Sequence, residues 1–380
     1  MVNIKELKDC CGCTACESSC IRGAITMQPD NQGFQYPIVD THLCNNCGLC
    51  TKACPIIHRT SNIPRKEPIA YYAARNNDKN ELMKSSSGGI FYAVAKNVIK
   101  RKGIVVGAVY DNEMKVVHTI AETLEDCQRM RGSKYSQSTL SGIYKDIKNL
   151  LIEGRLVLFT GTPCQVDGLK FFLRKEYQNL LTIDLICHSI PSPIIFSDYL
   201  RFVGGNYDKR ITALNLKDKS LGWPKTSTYY KFEDSTEVFN PKGLRCWQDI
   251  FESGYITRPS CFDCRYTNLH RPGDITIGDF WDFDGLRPDL RSVLGTSVLL
   301  VNSEKGRDII NEIHEDIQLW SISKKEAMQP RLERPSIKPK QYEKFWDDYR
   351  SKGYKYVYRR YFTISLLKRV KVKLRRFLRI

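Results

Sequence analysis

Cys10-Cys11-Gly12-Cys13-Thr14-Ala15-Cys16-Glu17-Ser18-Ser19-Cys20 and Cys44-Asn45-Asn46-Cys47-Gly48-Leu49-Cys50-Thr51-Lys52-Ala53-Cys54-Pro55 decide how the first part of this chain folds. Both runs read C-x2-C-x2-C-x3-C, the spacing of a module that carries two [4Fe–4S] clusters. The short gaps wrap one loop around one face of a cubane, so three thiolates reach three irons. The fourth cysteine of each run lies too far along for its own cluster and serves the other. The spacing therefore assigns Cys10, Cys13, Cys16 and Cys54 to one cluster, and Cys44, Cys47, Cys50 and Cys20 to the second. Ile21 follows Cys20 where proline is usual. Cys11 is too close to Cys13 to substitute for a ligand and is read as a non-ligand.

The competing readings are a disulfide scaffold and a zinc site. Disulfides need an oxidising compartment, and Met1 to Lys8 lacks the apolar run of a secretory leader. Zinc closes with four ligands, commonly as two separated C-x2-C pairs. Iron–sulfur use of this kind implies a reducing cytoplasm. An apolar content of 42% is that of a globular chain, and no apolar run approaches the ~18–20 residues of a membrane span. The net charge of +17 is concentrated at one end, since residues 351–380 hold eleven Lys or Arg and no acid. With the body only mildly basic and no reader motif, nucleic acid is excluded as a partner.

The basic end reads as an amphipathic helix over 364–380. At ~100° per residue, Leu366, Leu367, Val370, Leu374, Phe377 and Leu378 share one arc. Lys368, Arg369, Lys373, Arg375, Arg376 and Arg379 lie opposite. Such a face suits an anionic membrane surface, with the protein peripheral at the inner face; docking on the chain's own body and a disordered tail are the alternatives.

The chain divides into an α+β ferredoxin-like module at 1–58, a linker at 59–68, α/β parts at 69–152 and 153–330, and a basic tail at 331–380. The pattern from 69 onward predicts strands at 70–74, 104–110, 114–120, 155–160 and 180–186. Helices are predicted at 90–101, 124–130 and 142–151, after the turn 161–164 to about 174, and after Pro191. Short strand–helix–strand connections imply parallel pairing, so the sheet is expected to be mixed or mainly parallel.

Cys164 and Cys187 directly follow predicted strands, at the carboxyl edge where α/β folds place ligands. Cys261 and Cys264 form a further C-x2-C pair. These four thiols form a candidate third cluster. They compete with a zinc reading, with plain buried cysteines, and with Cys246 replacing one member; Cys127 and Cys246 are otherwise spare.

Ser87-Gly88-Gly89, Gly132-Ser133-Lys134-Tyr135, Gly161-Thr162-Pro163-Cys164-Gln165, Asp184-Leu185-Ile186-Cys187, Cys261-x2-Cys264 and Gly273-Asp274-Ile275-Thr276-Ile277-Gly278-Asp279-Phe280-Trp281 follow in that order. Together with the cysteine module they resemble the coenzyme F420 hydrogenase/dehydrogenase beta-subunit family over roughly residues 1–325. The resemblance implies a flavoprotein: FAD beside a [4Fe–4S] cluster, with electrons passing between iron–sulfur centres and a two-electron substrate. His188-Ser189 departs from the family pattern, where glycine is usual.

Within that resemblance, Ser87, Gly88 and Gly89 open a helix and are candidates for the flavin pyrophosphate. Lys134 and Tyr135 are candidates for the flavin ring or phosphates, as are Thr160, Gly161 and Thr162 at a strand end, and Lys134 is also a candidate catalytic group that stabilises the anionic reduced flavin. His188 is a candidate proton donor to substrate, against a plain backbone-bonded histidine, and Trp281 is expected in the core. The expected function is a ferredoxin-linked, FAD-dependent iron–sulfur oxidoreductase. A soluble ferredoxin or another low-potential donor supplies it, and a surface-polysaccharide precursor is a candidate substrate suggested only by the tail. F420 reduction or oxidation is the alternative, as is a non-catalytic relay subunit of a hydrogenase or dehydrogenase.

Overall fold

Each cysteine run becomes a tight loop followed by a short helix, Ala15–Ser19 in the first and Leu49–Lys52 in the second. Gly12 and Thr14, and their counterparts Asn46 and Gly48, take left-handed backbone angles, with φ of 69°, 61°, 57° and 73°. The repeat in sequence is thus a repeat in backbone. Alternating handedness turns successive N–H groups inward, a concave arrangement that favours anions. Strands β1 (Ile25–Pro29) and β2 (Gln35–Val39) pair antiparallel between the runs. The computed structural model describes residues 7–58, 67–224, 227–282 and 284–363.

Beyond the module run β3 (Ala70–Asn76), β4 (Ile104–Tyr110), β5 (Val116–Ala121), β6 (Val157–Gly161) and β7 (Leu180–Leu185). They are followed by β8 (Ile211–Asp218), β9 (Ser227–Phe232), β10 (Glu237–Phe239), β11 (Ile275–Asp279), β12 (Ser297–Val301) and β13 (Ile317–Ser321). One eight-stranded sheet has the order β13-β3-β12-β11-β7-β6-β4-β5. Its centre, β4-β6-β7-β11, is parallel, and both flanks pair antiparallel. The sheet is therefore mixed with a parallel core, as the short crossovers require.

Helices cover both faces. Ile90–Lys100 and Leu124–Met130 pack on one side with β4, β6 and β12. Ile143–Ile152 and Pro163–Leu173 pack on the other, in a core that also takes Ala15 and Ala53 of the cysteine module. That burial holds the module against the sheet. At Gly168 of the helix Pro163–Leu173, an added Cβ would lie 2.8 Å from Cys13 Cβ and 2.9 Å from its sulfur. The missing side chain lets this helix ride directly on the first cysteine loop.

A second core is largely aromatic. It joins the helix Pro193–Tyr207, the three-stranded sheet β10-β9-β8 and the helix Tyr342–Val357. Tyr342, Phe345, Trp346, Tyr358 and Phe362, within the stretch 331–380, are buried in this core. The amphipathic stretch 364–380, and the linker apart from residues 67 and 68, lie outside the described residues. No helix among the described residues is long and apolar enough to cross a membrane.

Candidate iron–sulfur cages and cofactor site

The first run and the last cysteine of the second run come together. Cys16 lies within electrostatic reach of Cys10 and Cys54, Cys13 of Cys16 and Cys54, and Cys54 of Cys10. Burial foremost, then these neighbouring charges, raise the Cys16 thiol pKa. Thiols so placed stay protonated until a metal takes them, and ligation releases the protons. The set Cys20, Cys44, Cys47 and Cys50 lines one small surface cavity with Arg22, Ile25 and Val39. Backbone N–H groups already address the sulfurs: Gly12 N to Cys10 at 3.4 Å and Ala24 N to Cys20 at 3.2 Å. Cys10, Cys13, Cys16 and Cys54 are buried while Cys47 is exposed, which makes one cage inner and the other outer.

The scattered cysteines converge as well. Every pair among Cys164, Cys187, Cys261 and Cys264 lies within electrostatic reach. Burial first, and then the charges of Cys164 and Cys264, push Cys187 up to about 12. Cys164 sits in the first turn of the helix Pro163–Leu173, with Thr162 Oγ1 3.2 Å from its sulfur. Cys187 follows β7, and Cys261 lies in the turn Pro259–Asp263. A tetrahedral zinc at ~2.3 Å holds its sulfurs about 3.8 Å apart. Among the described residues no group of three or more His, Cys, Asp or Glu side chains closes around a single ion.

Charge at this third cage fits an anionic group. Arg331 feels the thiols of Cys187, Cys261 and Cys264 and forms no ion pair among the described residues. Arg258, fully buried, lies within electrostatic reach of Cys164. Arg271 is likewise buried, paired with Asp184 at 2.9 Å, and donates to Leu185 O at 2.6 Å and to Tyr266 O. It ties the end of β7, which carries Cys187, to the loop that carries Cys264.

The spare cysteines separate. Cys127 is buried in the sheet core, and Cys246 caps the helix Trp247–Glu252 beside Tyr199, Tyr230 and Tyr358, away from the third cage. Cys11 lies beside both Cys13 and Cys164, where the inner and third cages meet.

The residues singled out for a flavin occupy two adjoining turns. Ser133 N donates to Ser86 Oγ at 2.8 Å, and Arg131 reaches Ser85 Oγ at 3.0 Å, joining 85–89 to 131–135. Gly88 has a packing role: its N–H donates to Ser297 Oγ at 2.9 Å, and an added Cβ would meet Ala74 O at 2.2 Å. Ser87 Oγ donates to Thr296 O, and Gly89 caps the helix Ile90–Lys100 at φ 77°. Lys134 donates to Arg129 O at 2.9 Å and Arg131 O at 2.6 Å; burial, then the charge of Arg129, pushes it down to about 7. Thr160 is engaged by β4 and by His118, while Gly161 closes β6 and Thr162 N donates to Gln165 Oε1.

Tyr135 and His188 flank Phe251, with ring centroids 5.2 and 6.5 Å away. The surrounding protein foremost, and Arg331 next, lower the His188 pKa, an effect tempered by the ring's exposure to solvent. Trp281 is half-buried against Trp223 at 5.0 Å rather than enclosed in the core.

Sequence reading missed Lys219, Lys217, Arg258 and Arg271. Lys219 is 3% exposed and donates to Leu82 O at 2.8 Å, Ser87 O at 2.6 Å and Leu294 O. Burial, then Lys217, pushes it down to about 7. Lys217 itself pairs with Asp279 of the 273–281 motif. The missed side chains come from β8 and from loops, and no short motif marks them.

Three family models match the chain. A 4Fe-4S dicluster domain covers residues 9–56, and the N-terminal and C-terminal regions of the coenzyme F420 hydrogenase/dehydrogenase beta subunit cover 71–145 and 154–326. One of the F(420)H(2) dehydrogenase subunits of Methanosarcina mazei is 21% identical over 47% of this chain and 53% of its own length. Coenzyme F420-dependent sulfite reductase of Methanocaldococcus jannaschii is 26% identical over 83% of this chain and 48% of its own length. The chain thus spans about half the length of these curated relatives. A chain from the F420-reducing [NiFe] hydrogenase complex of Methanosarcina barkeri aligns at a TM-score of 0.47 and 17% identity, over 68% of this chain and 84% of that one. Clustered thiols and matched regions agree, and the chain belongs to the coenzyme F420 hydrogenase/dehydrogenase beta-subunit family, with an iron–sulfur dicluster domain ahead of the beta-subunit regions.

Proposed function

We propose that this chain is an iron–sulfur flavoprotein oxidoreductase that links a low-potential one-electron donor to a two-electron acceptor. The observation that carries the reading is the mutual approach of Cys164, Cys187, Cys261 and Cys264, drawn from three separated segments of the chain. Cys20, Cys44, Cys47 and Cys50 would hold an outer cluster, Cys10, Cys13, Cys16 and Cys54 an inner one, and the four scattered thiols a third. When bound, such clusters exchange single electrons and FAD exchanges two as a hydride.

The chain's own groups supply placement. Lys219 is buried and Lys134 half-buried, each amino group held by carbonyls with no carboxylate at hydrogen-bond distance among the described residues. An enclosed cation is costly unless an anion compensates it, and this supports a phosphate-bearing cofactor against the turns 85–89 and 131–135. Tyr135, Phe251 and His188 offer a partly aromatic wall beside the third cage, and Lys217 with Asp279 a polar one.

The names of the relatives favour a second reading, in which the two-electron acceptor is the deazaflavin F420. Anaerobic protein, loaded with iron, sulfide and FAD and reduced with dithionite, is mixed with F420 or with oxidised ferredoxin. Reoxidation by F420 selects the second reading. Reoxidation by neither, with clusters and flavin in place, sets aside F420 as the acceptor; a preparation that binds no flavin refutes the flavoprotein.

A further inference from the structure

Arg258 has no exposed surface. Its fork donates only to neutral acceptors: Nε to Cys10 O, one terminal nitrogen to Gln137 Oε1 and the other to Gln35 O, each at 2.8 Å. The guanidinium lies over Tyr36 at 4.5 Å and Phe34 at 5.3 Å. No carboxylate comes within ion-pair distance of it among the described residues. Leaving a cation unpaired in a low-dielectric interior costs several kcal/mol unless something nearby is negative.

The surroundings show what that is. On one side the arginine holds the carbonyl of Cys10, an inner-cage residue. On the other, its own carbonyl accepts from Cys261 N at 2.9 Å, and its N–H donates to Ile190 O at 2.8 Å. Cys10, Phe34, Tyr36 and Ile190 form one buried group against which Cys187 and Cys261 pack. The inner and third cages therefore share a wall, and the arginine stands in it. The outer cage, lined by Cys20, Cys44, Cys47 and Cys50, has its own surroundings with Arg22.

We propose that Arg258 is the common counter-charge of the inner and third cages, a positioning residue that raises the reduction potential of both clusters relative to the outer one. Reduction adds one electron to a cluster, and a fixed positive charge in a water-poor wall stabilises that added charge. A potential raised inward draws electrons from the outer cage toward the sheet edge. A clamp that only held the Cys10 loop would use the same fork, but it would leave the potentials indifferent to its charge.

The proposal rests on the cluster assignments above, and its test separates the two. Full-length protein is reconstituted anaerobically, its iron and sulfide are counted, and each cluster is titrated potentiometrically with EPR detection. Gln137→Glu is nearly isosteric, keeps the acceptor for Arg258 and neutralises it with a carboxylate. It is expected to shift the inner and third potentials downward and leave the outer one in place. Arg258→Gln must shift the same pair in the same direction, and Arg258→Lys, which keeps the charge, must shift them less. Unmoved potentials in fully loaded Gln137→Glu and Arg258→Gln overturn the proposal, as does an equal shift at all three clusters. A wild-type count of only two clusters refutes the third cage instead, and the inner cluster's shift alone then decides Arg258.

Discussion

Removing the Arg271 guanidinium tests how the third cage is held. The Asp184 carboxylate has no exposed side-chain surface, and the Arg271 side chain is 1% exposed. Asp184 Oδ1 accepts from Nε at 3.2 Å and from a terminal nitrogen at 2.9 Å, while Oδ2 keeps the N–H of Gly273 at 2.8 Å. Arg271→Met fills much of the same volume but strands a buried carboxylate on one remaining donor. It also frees the carbonyls of Tyr266 and Leu185 that the arginine ties together. Breaking a buried pair from one side costs ~3–5 kcal/mol, and two lost charge-assisted bonds at ~1.5–3 kcal/mol each give an overlapping ~3–6 kcal/mol. Because the pair joins the end of β7 to the Cys264 loop, Cys187 and Cys264 should separate first. Urea unfolding followed by circular dichroism, with iron counted on the folded fraction, reads both effects. The expectation is a loss of about 3–5 kcal/mol together with about four irons. Asp184→Leu added to Arg271→Met should recover part of the stability, since no charge is then stranded. A single variant within about 1 kcal/mol of wild type, with full iron, would refute this reasoning.

Other outcomes follow from the same geometry. Gly168→Ala places a methyl against Cys13 and should destabilise by ~1–3 kcal/mol through overpacking, offset by up to ~1 kcal/mol of helix propensity; a melting curve checks the sign, and a stabilised variant would refute the close approach. Cys246→Ser should leave iron content unchanged while Cys264→Ser loses about four irons, which metal analysis reads. Lys219, held near 7 in the fold against ~10.4 when unfolded, binds fewer protons folded than unfolded between those values. Its destabilising charge is present in full below pH 7 and relieved as pH rises, so stability should climb across that window. Lys219→Met should remove this contribution to the slope, and denaturant titrations at pH 7 and 9 compare the two proteins.

What was legible in the sequence follows the range of each interaction. The cysteine runs carry their own local geometry, and their two-cluster module reappears as repeated left-handed turns. Strands such as 104–110 and 180–186 were legible because they are buried on both faces and read as continuous apolar runs. The position of Cys164 and Cys187 at the carboxyl edge followed from alternating strands and helices, but nothing local announced that Cys261 and Cys264 would join them. Arg258 and Arg271 were illegible because their partners lie far away in sequence, at Cys10 and Asp184. Gly88, legible as part of a turn before a helix, also carries a packing role against β3 and β12 that no local signal marks. The aromatic segment Tyr342–Val357 was hidden by the basic residues near it, whose charges mask its buried face.

The most direct measurement is the iron, sulfide and flavin content of anaerobically reconstituted full-length protein, beside Cys187→Ser. Three thiol cages predict about twelve iron and twelve sulfide per chain, with one FAD, and a loss of about four irons in the variant. About eight irons in both proteins, or no bound flavin, would contradict the account.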